Sequence, residues 1–75
     1  MPPNTPLTAV ELVIPSDRFF DAMSDIGEWL AGRHLTSPYS TCRRNQAGEH
    51  NFRIAFPQRL DAKKFAERFG GRVAA

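Results

Sequence analysis

The chain is predicted to be α+β: a single antiparallel sheet with two helices on one face, in the order βαββα(β). Three observations predict it. Residues 7–15, 39–45 and 51–57 are short stretches in which side chains alternate with the period of a strand. Residues 16–32 and 60–71 place apolar residues at helical spacing and polar ones opposite. Each helix then has one apolar stripe to bury, and covering one face of one sheet satisfies both. Seventy-five residues make a single domain, one that buries only about 60% of its unfolded surface and has a thin margin of stability.

The elements follow in order. Residues 1–6, MPPNTP, are half proline and are expected to form a disordered tail ahead of a single domain at 7–75. In LTAVELVIP, Val10, Leu12 and Ile14 share one face of a strand, and Leu7, Ala9, Glu11 and Val13 share the other. Pro15 ends it. SDRFFDAMSDIGEWLAG is an amphipathic helix with Ser16 expected as the N-cap and Asp17 at the positive helix end. Phe19, Met23, Ile26 and Leu30 form its stripe, with Phe20 and Trp29 beside it; Asp17, Asp21, Asp25 and Glu28 form an acidic ridge on a different face. Gly32 is the expected C-terminal glycine. Gly27 costs about 1 kcal/mol relative to Ala inside a helix, so close packing against a strand is expected there.

The stretch YSTCRRNQAGEHNFRIAFP, 39–57, is predicted to be a hairpin with the loop QAGEH. Phe52, Ile54 and Phe56 alternate inward, and Pro57 closes the strand. The second helix, LDAKKFAERFGG, has Asp61 as its expected cap, Leu60 stapled on Phe65, and Gly70 and Gly71 at its end. RVAA then either forms a short edge strand through Val73 or frays. The crossover rule places strand one beside strand three and leaves the hairpin's first strand at an edge. This order resembles the ferredoxin-like split βαβ arrangement. The resemblance is architectural and no family motif accompanies it, so function has to be argued from the surface.

Composition narrows the function classes. One cysteine, Cys42, excludes an internal disulfide framework and points to a reducing, cytoplasmic setting. The start lacks a basic segment followed by an apolar one, so no secretory signal is expected. No apolar run approaches the roughly 20 residues that span a bilayer, so no membrane partner is expected. Eight arginines against two lysines, with much Ala, Gly and Pro, suit a GC-rich bacterial genome. Net charge is only +2 but unevenly placed. Residues 1–31 hold five acids and one base, a net of −4; residues 32–75 hold nine bases and three acids, a net of +6.

Three chemistries bear on 39–57. Cys42, His34 and His50 are scattered over separate elements, without the close-spaced pairs of a structural zinc site, so neither metal nor cofactor is expected. Arg43 and Arg44 stand next to Cys42, yet no residue orients His34 or His50 as a base, so no catalytic residue and no enzyme activity are predicted. Alternation expects Cys42 to join the core and Tyr39, Arg43 and Arg53 to share the open sheet face. An aromatic flanked by arginines there is how single-stranded RNA is stacked and held, which makes nucleic-acid binding the alternative function. The leading expectation is a protein-interaction module. Leu7, Ala9, Val13, Ala55 and Tyr39 form an apolar patch that no helix covers, rimmed by Glu11, Arg43 and Arg53. Self-association there, as a homodimer, adds the burial a short chain lacks.

Overall fold

A computed structural model describes residues 7–35 and 39–74. The expected tail at 1–6 lies outside them. Strands β1 (Thr8–Ile14), β2 (Tyr39–Arg44), β3 (His50–Phe56) and β4 (Arg72–Ala74) form one antiparallel sheet in the order β2-β3-β1-β4. Strand one therefore lies beside strand three, and the hairpin's first strand is an edge. A 3-10 turn, Ser16–Arg18, leads into helix α1 (Phe19–Gly32); helix α2 (Arg59–Phe69) joins β3 to β4.

The core forms on the face that carries the even-numbered residues of β1 and β3 and Val73 of β4. Val10 stands opposite Ile54 and Leu12 opposite Phe52, and all four are buried with Ile14 and Phe56. Both helices bring their buried residues to this face, Ile26 from α1 and Ala62, Phe65 and Ala66 from α2. Trp29 lies across the seam between the helices. Its ring meets Phe65 at 5.5 Å and Phe69 at 6.0 Å, both edge to face, a geometry worth about 0.5–1.5 kcal/mol beyond area burial.

The helix ends depart from the sequence expectations. Ser16 does not cap α1; its hydroxyl donates to the Gly48 carbonyl, tying the start of the helix to the hairpin loop. Gly32 is the last helical residue, and the left-handed position falls two residues later, on His34 at φ 54°. There His34 N–H donates to Ala31 O at 3.1 Å and Leu35 N–H to Leu30 O at 2.9 Å, the paired bonds of a Schellman end. Leu35, partly buried against the core, closes it. In α2 the N-cap is Gln58, and no side chain caps the helix. Asp61 sits inside the first turn and Leu60 is exposed, so neither the cap nor the staple forms, because the helix begins at Arg59, two residues before Asp61. Gly70 at φ 73° ends α2, and Gly71 N–H donates to Ala66 O at 2.9 Å.

Gly27 is also corrected. Nothing stands within 4 Å of where its Cβ would be, and it faces solvent rather than a strand. Gly71 is the glycine that close packing requires. A Cβ there would lie 2.9 Å from Val10 Cγ1, 3.0 Å from Glu11 O, and nearer still to Leu12 Cδ2. The hairpin loop is held by Asn45, whose side-chain oxygen accepts from Ala47 N–H at 2.9 Å and Glu49 N–H at 3.0 Å.

Candidate functional site

The opposite face of the sheet, which carries the odd-numbered residues of β1, β2 and β3 and Arg72 of β4, has no helix over it. Strand register sets its layout. Tyr39 stands opposite Ala55, which stands opposite Ala9. One row along, Thr41, Arg53, Glu11 and Arg72 follow one another across all four strands. In the next row Arg43 stands opposite Asn51, and Asn51 opposite Val13. Alternation therefore brings the expected set, Glu11, Val13, Tyr39, Arg43 and Arg53, onto one surface.

Glu11 is the centre of that surface. Its carboxylate accepts from Arg53 Nη1 at 3.4 Å on one side and reaches Arg72 Nη2 at 3.6 Å on the other. Glu11 and Arg53 are partly exposed and Arg72 is mostly in water, so each pair contributes about 0.2–1 kcal/mol. Their role is better described as orientation, since a guanidinium in such a pair keeps several donors for a ligand. Arg43 makes no ion pair among the described residues. A shallow hollow of about 610 Å³ runs over this row, lined by Tyr39, Thr41, Arg43, Asn51, Arg53 and Arg72 among others.

The apolar part is smaller than the sequence suggested. Val13 is 59% exposed and Tyr39 52%, and Leu7 is also exposed. Ala9 and Ala55, however, are buried. Their single methyls sit mid-sheet beside longer neighbours, with Tyr39 directly across from Ala55. Arg72 was missed, because RVAA read either as an edge strand or as a frayed end, and only the strand fixes its face. The signal lay in its own alternation, with Val73 turned toward the core and Arg72 away from it.

Cys42 is exposed, which corrects its expected place in the core. The register is the expected one, with Cys42 opposite Phe52 on the helical face. But β2 is an edge strand, and the core cluster takes no residue from it. Cys42 Sγ lies 3.9 Å from His50 Nδ1, and the His50 ring packs on Phe19 at 4.2 Å. Among the described residues no three His, Cys, Asp or Glu side chains gather as a metal site, and no helix is long and apolar enough to cross a membrane.

Compared with family models, curated proteins and solved structures, the chain matches none of them.

Proposed function

We propose that the protein is a non-enzymatic protein-interaction module that self-associates through the open face of its sheet. The observation that carries this reading is the composition of that face. Exposed Val13 and Tyr39 flank a charged row of Arg53, Glu11 and Arg72 on either side, with Arg43 at the margin, and Leu7, also exposed, directly precedes β1. Exposed apolar and aromatic side chains set among arginines are what protein interfaces present, Tyr and Arg being enriched there. We take the scaffold as the ferredoxin-like split βαβ arrangement, supported by β1 lying between β3 and β4 with both helices on one face. We further propose a bacterial source, on the arginine bias, and a cytoplasmic location, on the single free thiol.

The test is Val13→Asp. The Val13 side chain points away from the helices and is mostly exposed, so the variant should stay folded by circular dichroism. It should lose self-association in sedimentation equilibrium, because a carboxylate buried without a partner costs several kcal/mol. Arg53→Gln should do much less, since rim charges mainly alter association rate and salt dependence. Unchanged association of Val13→Asp would sink the reading.

A second reading has an observation of its own. Three arginines and Tyr39 line one hollow, a setting in which a single-stranded RNA stacks a base on the ring and pairs its phosphates. Against it, the central strands β1 and β3 place no aromatic on this face. A mobility shift with a uridine oligonucleotide, lost in Arg43→Ser and weakened by salt, would move the function to this reading.

A further inference from the structure

We infer that the occupant of the open sheet face is helix α1 of a second copy of this chain, so that copies associate head to tail rather than sheet to sheet. The inference rests on the sheet face being the interaction surface and names what it takes.

Charge is the first argument. Among the described strand residues the open face carries Arg43, Arg53 and Arg72 against one acid, Glu11. Two copies set face to face would bring three arginines against three, and like charges held together at an interface oppose binding. The same molecule presents the opposite charge elsewhere. Asp17, Asp21, Asp25 and Glu28 are all exposed, and none makes an ion pair among the described residues.

The dimensions agree. From Asp17, in the 3-10 turn ahead of α1, to Glu28 the chain rises about 16–18 Å, at about 2.0 Å per residue in the turn and 1.5 Å in the helix. From Arg43 to Arg72 is three strand spacings across the sheet and two residues along it, also about 16 Å. A helix laid obliquely over the face thus brings its acidic ridge along the arginine row.

An apolar anchor accompanies the charge. Phe20 is 86% exposed, the most exposed large apolar side chain described. Helical spacing puts Phe20, Gly27 and Ala31 along one flank of the ridge, and all three are exposed. The small residues there let a sheet approach closely, and Phe20 can enter the hollow beside Val13 and Tyr39. Such buried aromatic anchors ringed by charge carry most of the affinity of an interface. Because the two surfaces differ, the contact is heterologous and leaves a free ridge at one end and a free face at the other.

Two variants that each keep one surface provide the test. The ridge variant is Phe20→Ser with Asp21→Asn and Asp25→Asn; the face variant is Val13→Asp. Both sets are exposed, and retained melting temperatures check folding. Wild type should oligomerise progressively with concentration and dissociate in 1 M salt, where screening reaches down to about 3 Å. Each variant alone should associate about 30-fold more weakly or worse, the effect of losing a central anchor. Mixed in equal amounts, they should form one-to-one pairs that grow no further, the intact ridge of one on the intact face of the other. If the ridge variant associates like wild type while the face variant does not, the sheet face stands as the surface and α1 is not its occupant. Failure of the mixture to pair also overturns the inference. A wild type that stays monomeric overturns both it and the self-associating function.

Discussion

Gly71 and Gly27 present the same single hydrogen to opposite surroundings. A methyl at Gly71 meets Val10, Leu12 and the Glu11 carbonyl, because the chain leaving α2 presses against β1 there. A methyl at Gly27 meets nothing within 4 Å. Gly71→Ala should therefore destabilise the protein by about 1–3 kcal/mol, the range for overpacking. Gly27→Ala should stabilise it by about 1 kcal/mol, the helix propensity difference. Thermal melts check both, since 1 kcal/mol moves the midpoint by about 4–8 °C in a domain of this size. His34 supplies a third case. It holds a left-handed conformation at the end of α1, which costs an L-residue about 1–2 kcal/mol, so His34→Gly should raise the melting temperature. None of these three roles is readable from local sequence. What stands over a glycine is decided by residues far along the chain, and Gly32 looked like the better helix stop until packing of Leu35 carried the turn two residues on.

At the scale of elements, alternation was the reliable signal and coverage the unreliable one. Period two assigned the faces of β1, β2 and β3 correctly, including Cys42 opposite Phe52. It does not say how far sideways two helices reach over a sheet. They stop short of β2, where four of six residues around Thr41 and Cys42 carry polar or charged side chains, so the thiol is left in water. Cys42 should then react with a thiol reagent in the native protein nearly as fast as in urea. Labelling only at the rate of global unfolding would contradict the exposure. Cys42→Ser should change stability by no more than about 0.5 kcal/mol, as exposed substitutions do. The seam between the helices should respond differently. Trp29 is half-buried against Phe65 and Phe69, with Arg33 Cζ 4.7 Å from its ring centroid. Trp29→Ala should cost about 2–4 kcal/mol in urea unfolding, near or below the range for a fully buried ring.

For the whole molecule the governing feature is the separation of charge, and folding gives that separation a geometry. The acidic first part of the chain becomes the outer surface of α1, and arginines from β2, β3 and β4 converge on the sheet's open face. Glu11 is the exception, an acid from the acidic segment placed between two arginines of the basic one. The polarity was legible in the sequence, and so were five members of the open surface. Arg72 was not, because its place depends on a three-residue strand that exists only once β1 is there to pair with it. Nor was the loss of Ala9 and Ala55 to burial, which follows from the longer neighbours that register sets beside their short side chains. Both changes make the face more basic and less apolar than alternation alone suggests.

Association through this face should be visible in amide shifts followed through a dilution series. Between about 1 mM and 10 μM, a span suited to small weak interfaces, the largest shifts should fall on Glu11, Val13, Arg43 and Arg53. Amides of Val10, Ile54 and Phe65 in the core should hold still, since these side chains are buried in each copy. Spectra that do not change with concentration, or shifts confined to α2 and the hairpin loop, would contradict the account.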